Sequence, residues 1–165
     1  SGYPLASVTL SDSAYQGLRS DESGALIRDL VQSALPLDLA LTYTLPDEPG
    51  PLKALLHYLA FDLGVDLILT TGGTGLTTRD ITPAATRAVL EKDLPGVEQA
   101  MMASSLAKTP HAVLSRGRSG ITGRSLILNL PGSPAAVRDN LGAVLPALKH
   151  ALEKIDDDPS DCAVP

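Results

Sequence analysis

The sequence predicts an α/β fold, with a mainly parallel sheet lying between layers of helices. Three observations carry this. Short aliphatic runs of strand length alternate with amphipathic helical patterns along the whole chain. Four of those runs empty into polar or glycine-rich turns. Apolar residues make up 44% of the sequence but aromatics only 3%, with no Trp and one Phe, so the core must be aliphatic. At 165 residues the chain suits one domain, read as residues 1–155, followed by an acidic tail over 156–165 expected to be disordered.

The first strand is expected over residues 5–10, ended by Ser11-Asp12-Ser13. A polar loop over 17–24 follows. Ser23 is positioned to cap a helix through Leu35, whose residues Leu26, Ile27, Leu30, Val31 and Ala34 share one face. Pro36 stops it. Residues 37–45 alternate strictly, so Leu37, Leu39, Leu41, Tyr43 and Leu45 should form the buried face of a strand near the sheet edge. Pro46-Asp47-Glu48-Pro49-Gly50 is a turn. The next helix carries Leu52, Leu55, Leu56, Leu59 and Leu63, with Gly64 as its C-cap. A third, buried strand is expected over 65–69.

Three glycines then fall within four positions, Gly72, Gly73 and Gly75, amid several threonines. Thr82 is read as a cap and Pro83 as the first residue of a helix through Leu90. Pro95-Gly96 interrupts the pattern, and a helix follows over 97–107 with Met101 and Met102 as core filler. A short strand is expected over 112–114 and a glycine-punctuated loop over 115–123. Residues 125–130 form another buried strand. Pro131-Gly132-Ser133-Pro134 turns into a final helix carrying Val137, Leu141, Val144, Leu148, Leu152 and Ile155, which Pro146 should kink.

Charge and composition exclude several function classes. The near absence of aromatics removes the stacking platform of single-strand nucleic-acid binders. No run approaches the roughly 18 apolar residues of a membrane span. The lone Cys162 rules out an intramolecular disulfide and fits a reducing, cytoplasmic setting. The net charge is −6, of which Asp156, Asp157, Asp158 and Asp161 in the tail carry four. From Gln99 to Arg138 there is no acidic residue, while Lys108, Arg116, Arg118, Arg124 and Arg138 are cationic. That segment is either a solvated face or a basic wall facing an anionic small molecule.

In a parallel sheet all strands present their carboxyl ends at one edge. The turns at Ser11-Asp12-Ser13, Pro46-Asp47-Glu48, the glycine loop with Asp80, and Pro131-Gly132-Ser133 therefore converge on one crevice. The amides and hydroxyls of Thr71, Gly72, Gly73, Thr74 and Gly75 are suited to hold phosphate. No Lys-Ser/Thr pair follows the glycines, so this is not a P-loop. The alternative is a plain tight turn. Asp47 and Asp80 are the candidate catalytic carboxylates and together could hold a divalent cation through oxygen. Structural roles are also open to them: an ordinary turn residue for Asp47, a helix cap for Asp80. Ser115, with Arg116 and Gly117, could contact a phosphate. His57, His111 and His150 are read as structural or solvated, and no zinc spacing exists.

At these residues the sequence resembles the molybdopterin adenylyltransferases of molybdenum-cofactor biosynthesis, of the MogA/MoaB type, and the related plant and gephyrin G domains. The matching pieces are Thr9-Leu10-Ser11-Asp12-Ser13, Asp21-Glu22-Ser23-Gly24, Pro46-Asp47-Glu48, Thr71-Gly72-Gly73-Thr74-Gly75, Arg79-Asp80-Ile81-Thr82-Pro83, Leu114-Ser115 and Leu130-Pro131-Gly132-Ser133-Pro134. The resemblance implies a three-layer α/β domain of the molybdenum-cofactor-biosynthesis type, usually a homotrimer. It implies transfer of AMP from Mg-ATP to the molybdopterin phosphate with release of pyrophosphate, and hand-over of the product to a molybdenum insertase. The family's two functional aspartates fall on Asp47 and Asp80. Its nucleotide and pterin contacts include Ser11, Asp12, the glycine loop, residues 115–117 and the turn Pro131-Gly132-Ser133. The alternatives are a non-catalytic molybdopterin-binding module and another nucleotide-processing enzyme on the same fold.

Overall fold

The computed structural model describes residues 2–156; the expected acidic tail lies almost wholly outside them. Six strands form one sheet: β1 (Tyr3–Leu10), β2 (Leu37–Leu45), β3 (Leu67–Thr71), β4 (Lys92–Asp93), β5 (Ser119–Thr122) and β6 (Ser125–Leu130). Their order is β2-β1-β3-β6-β5-β4. β2, β1, β3 and β6 run parallel, β5 is antiparallel to β6, and β4 is antiparallel to β5. The helices are α1 (Asp12–Tyr15), α2 (Ser23–Gln32), α3 (Pro49–His57), α4 (Thr82–Val89), α5 (Pro95–Leu106) and α6 (Pro134–Asp156).

Two cores separated by the sheet make three layers. Leu5, Leu67, Leu69, Leu126, Leu128 and Leu130 face α2, α5 and α6, meeting Ile27, Val31, Met101, Val137, Leu141 and Leu148. Ala6, Val8, Leu10, Ile68 and Ile127 face the other way, onto Leu52 and Leu56 of α3 and Ala85 of α4. Adjacent residues of β1, β3 and β6 thus enter opposite cores, the period-2 consequence of the pleat. Both faces are covered, so these central strands are mostly aliphatic, with small polar residues such as Ser7, Thr9 and Asn129 among them.

The chain leaves β1 for β2 on one side, then crosses back to β3 on the other. The strand order reverses between β1 and β3. Open α/β sheets bind ligands at such a reversal, beyond the carboxyl ends of the strands.

Several local expectations are corrected. β2 is the sheet edge, but none of its residues is fully buried and Leu39 is 49% exposed. The pairing register shifts opposite Tyr3 and Pro4, which pair with Leu37 and Leu39 and leave Asp38 as an extra residue. This bulge puts Leu37 into one core and Leu41, Tyr43 and Leu45 against the other, rather than all on one face. α2 ends at Gln32, short of Leu35, and Ser23 is its first helical residue, with Glu22 at the cap position. After α3 the chain makes a π-helical turn, Tyr58–Asp62, before Gly64 at φ +65°. β3 starts two residues later than expected, at Leu67. Pro95-Gly96 opens α5 instead of interrupting it. Residues 112–114 lie in a 3-10 turn, Pro110–Leu114, where Pro110 and the Thr109 hydroxyl nucleate a turn rather than a strand. The supposed loop over 115–123 contains β5, paired to β6 through a tight turn at Gly123, and the two-residue β4 had no periodicity to reveal it. α6 includes Pro146 within a single helix, Pro134–Asp156.

Candidate active site

The strand-end turns do meet. Gly72 N–H donates to Leu130 O at 3.2 Å, and the Thr71 hydroxyl donates to Pro131 O at 2.7 Å. These bonds join the end of β3 to the turn after β6. On the other side the turns after β1 and β2 hold each other reciprocally. Asp12 N–H donates to Asp47 Oδ2 at 3.0 Å, and Asp47 N–H donates to Asp12 Oδ1 at 2.8 Å. Farther back, Asp21 accepts from the hydroxyls of Thr9 at 3.1 Å and Thr44 at 2.5 Å, so it clasps β1 to β2.

The glycine loop needs its glycines for two reasons. Gly72 and Gly73 lie at φ +93° and +69°, in the left-handed region that L side chains rarely adopt. A Cβ at Gly72 would also lie 2.6 Å from Leu10 O, and one at Gly73 would lie 2.4 Å from Thr82 Oγ1. Thr82 is therefore not the expected helix cap. Ile81 takes the cap position of α4, and the buried Thr82 hydroxyl donates to Gly72 O at 2.9 Å while its N–H donates to Gly73 O. Among the described residues, no hydrogen bond occupies the amides of Gly73, Thr74 or Gly75. Three consecutive free donors in such a turn form an anion-binding concavity.

The two candidate acids flank this concavity. A Cβ at Gly73 would sit 3.5 Å from Asp47 Oδ1, and one at Gly75 would sit 2.9 Å from Asp80 Oδ2. Asp80 does not cap a helix. Its Oδ2 accepts from the N–H and the hydroxyl of Thr77, both at 2.9 Å, which closes a local turn. Asp47 Oδ1 and Asp80 Oδ1 have no hydrogen-bond partner among the described residues. Burial pushes the Asp47 carboxyl above its ordinary value, opposed by the Asp12 N–H and reinforced by the Asp12 and Asp80 charges. The Asp12 carboxyl is held below its ordinary value, chiefly by the Asp47 N–H and then by Arg79.

Two free carboxylate oxygens beside a phosphate cradle suit a magnesium ion. Mg²⁺ keeps several waters and is bound by one or two carboxylates together with substrate phosphates. Among the described residues no group of three or more His, Cys, Asp or Glu could hold a metal without such help.

Other expected residues divide. Ser11 caps α1 by accepting from Ala14 N–H, and Ser133 caps α6 by accepting from Ala136 N–H, so both hydroxyls already have structural work. Gly132 packs against Gly72, where its Cβ would lie 3.5 Å from the Gly72 Cα. Ser115, Arg116, Gly117 and Pro131 line a neighbouring cavity of about 970 Å³ that also touches Met101 and Met102. Neither Asp47 nor Asp80 lines that cavity. Arg116 is the wall between the two regions: its N–H donates to Thr74 O, and its guanidinium donates to Gly75 O at 3.0 Å and Asp80 O at 3.1 Å.

The expected basic wall is kept only in part: Arg116 and Arg118 both line the cavity. Arg118 pairs with Glu98 at 3.7 Å, and Arg124 reaches Asp156 and Ile155 O at the opposite end of the sheet. Lys108 does not line the cavity.

Two residues escaped the reading of the sequence. Asn129 is 2% exposed; its Nδ2 donates to the hydroxyls of Thr70 and Thr86 at 2.9 Å each, and its Oδ1 accepts from Arg118 N–H at 3.0 Å. A lone Asn in an otherwise aliphatic strand was the available signal. The other is Arg79, which grips Asp12 through Nε and Nη2.

Comparison with known proteins identifies the family. Residues 6–150 match the family described as "Probable molybdopterin binding domain". The chain belongs to that family. Among its relatives, the molybdopterin adenylyltransferase of Helicobacter pylori (strain J99) is 40% identical over 149 residues, covering 90% of this chain and 85% of that protein. The gephyrin of Dictyostelium discoideum is 40% identical over 161 residues, 92% of this chain, but this chain spans only 22% of its length. The crystal structure of the molybdopterin biosynthesis enzyme MoaB from Thermus thermophilus superposes with a TM-score of 0.86 at 46% identity, covering 93% of this chain and 96% of that one. The three-layer molybdopterin-binding fold expected from the motifs is therefore the fold of this chain.

Proposed function

We propose that this chain is a nucleotidyltransferase that moves AMP from Mg-ATP to the phosphate of molybdopterin and releases pyrophosphate. The observation that carries this reading is the row of free amides at Gly73, Thr74 and Gly75 flanked by Asp47 and Asp80 at the sheet's reversal point. The identity of the chain to proteins named molybdopterin adenylyltransferase supports it.

In the reaction an oxygen of the molybdopterin phosphate attacks the α-phosphorus of ATP in line, and the bond from that phosphorus to the β-phosphate oxygen breaks. A monoester phosphate has its second pKa near about 6 and is mostly dianionic at neutral pH, so the nucleophile needs no general base. The protein's task is to align two polyanions and offset their charge. The loop amides hold phosphate oxygens. Asp47 and Asp80 are the residues that would hold Mg²⁺, which supplies charge neutralisation on the nucleotide phosphates. Contacts to nucleotide and pterin extend to Ser11, Asp12, Thr71, residues 115–117 and the turn Pro131-Gly132-Ser133. The reading brings with it a homotrimer, a cytoplasmic site of action and hand-over of the product to a molybdenum insertase. The domain is taken as residues 1–155.

The test supplies molybdopterin, ATP and Mg²⁺ together and singly, and follows pyrophosphate and adenylylated pterin. Pyrophosphate should form only with all three. Tight pterin binding without pyrophosphate would make the chain a binding module, and ATP turnover without molybdopterin would make it a different enzyme.

A further inference from the structure

Arg79, in the loop region, and Arg116 and Arg118, which line the neighbouring cavity, are not equivalent. Arg116 spends its Nε and Nη2 donors on the carbonyls of Gly75 and Asp80. Arg118 pairs with Glu98, and its backbone is tied to Asn129. Arg79 differs from both. Its backbone is fixed in the turn closed by Asp80, where Arg79 N–H donates to Thr77 Oγ1 at 3.3 Å. Its side chain, 57% exposed, grips one partner: Nε to Asp12 Oδ2 at 3.1 Å, and Nη2 to Asp12 Oδ1 and Oδ2 at 3.0 and 2.8 Å.

We propose that Arg79 is a phosphate-binding residue for the nucleotide's polyphosphate, and that Asp12 holds its fork in the meantime as a stand-in for phosphate. This rests on the adenylyl-transfer reading for the identity of the ligand. Four properties of the pair support it. The planar fork of Arg fits carboxylate and phosphate alike, so exchange needs no new geometry. An ion pair this exposed contributes little, so it is readily given up. Asp12 is not stranded when Arg79 leaves, because Asp12 Oδ1 still accepts the Asp47 N–H at 2.8 Å. The fourth property is electrostatic. Asp12, Asp47 and Glu48 all act on Arg79, so it is the cation that offsets the acids a polyanion must approach.

The binding of inorganic pyrophosphate and of ATP is measured by titration calorimetry, without Mg²⁺ and at low salt, for the wild type, R79Q, D12N, D12N/R79Q and E48Q. R79Q should bind both ligands about ten-fold or more weakly, the scale of a lost charge-assisted contact. D12N should bind pyrophosphate up to about five-fold more tightly, the scale of one exposed ion pair. That gain should vanish in D12N/R79Q. E48Q removes a nearby charge without freeing the fork, so its gain should be smaller than that of D12N. Wild-type affinity in R79Q, or a D12N gain that survives in the double variant, overturns the proposal. Thermal melts by circular dichroism accompany each titration, and an exposed pair should leave folding intact. The two readings fail separately. R79Q with unaltered ATP affinity and wild-type adenylylation overturns the role of Arg79 and leaves the transferase standing. A wild type that binds pyrophosphate through Arg79 but never adenylylates molybdopterin does the reverse.

Discussion

Substituting Gly73 by Ala tests whether the loop is shaped by a steric conflict that only glycine resolves. Two penalties add. Alanine at φ +69° pays the left-handed cost of about 1–2 kcal/mol. Its Cβ would also fall 2.4 Å from Thr82 Oγ1, and Thr82 is fully buried and cannot swing away. Overpacking of that kind costs about 1–3 kcal/mol. The total of about 2–5 kcal/mol is a large share of the roughly 5–15 kcal/mol that stabilises a domain. Thr82→Ala separates the parts. Alone, it strands the Gly72 carbonyl that the hydroxyl serves and should cost about 1–3 kcal/mol. In G73A/T82A the clash with the hydroxyl is gone, and the new methyl would meet the residue-82 Cβ at 3.4 Å and Asp47 Oδ1 at 3.5 Å, both ordinary contacts. The double variant should therefore be more stable than the sum of the singles predicts by about 1–3 kcal/mol. Urea unfolding followed by far-UV circular dichroism measures all four proteins. Strict additivity, or a G73A protein within about 0.5 kcal/mol of wild type, refutes the account.

Three further outcomes are expected. Asp47→Asn and Asp80→Asn should each slow adenylylation by roughly 10²-fold or more, most severely at limiting Mg²⁺; wild-type rates there would remove the metal-positioning role. The two turn aspartates should respond oppositely to pH. The Asp12 value is lowered by folding, so its stabilisation is present above its unfolded value of 3.8 and is lost as pH falls through the lower folded value; the Asp47 value is raised, so its contribution is present below 3.8 and is lost as pH rises through the folded value. In melts at neutral pH D12N should therefore unfold below wild type and D47N above it, with both differences closing in strong acid. Asn129→Ala should cost about 2–4 kcal/mol in urea unfolding, because it strands the hydroxyls of Thr70 and Thr86 and the Arg118 N–H in the interior.

The central sheet was legible because β1, β3 and β6 are covered on both faces and so are dominated by aliphatic residues. The convergence of their turns then followed from parallel topology alone. What escaped depends on contacts between residues far apart in sequence. The bulge at Asp38 leaves no mark on the alternation of residues 37–45, yet it moves Leu37 into the opposite core. Thr82 reads as a cap before Pro83, and its real task is set by Gly72 and Gly73, which lie ten and nine positions earlier. Counted along the chain, the cations over 99–138 leave a solvated face and a basic wall equally open, and only Arg116 and Arg118 of them come together at one cavity. In three dimensions Arg116, Arg118 and Arg124 point to separate acids and carbonyls. Conversely, the Arg79-Asp80-Ile81-Thr82-Pro83 motif does not reveal what Arg79 does, because its partner Asp12 is 67 residues away.

The two flanking acids are held by different means, and this bears on how the site can fail. Asp80 sits in a turn closed over three residues by Thr77 and followed at once by α4, whose buried Thr82 locks it under the glycine loop. Local chain connectivity suffices to place it. Asp47 follows β2, an edge strand with no fully buried residue, so packing does little to fix where that strand ends. Its position depends on polar clasps across the β1–β2 boundary: the reciprocal Asp12 and Asp47 bonds, Ser11 N–H to Leu45 O at 3.0 Å, and Asp21 on the hydroxyls of Thr9 and Thr44. Each clasp is solvent-accessible at least in part and is worth only about 1 kcal/mol net. Alignment of the two carboxylates is thus set by the weaker side. Changes at Asp21 should move Asp47 relative to a glycine loop and an Asp80 that stay in place, and so slow adenylylation while leaving the fold intact.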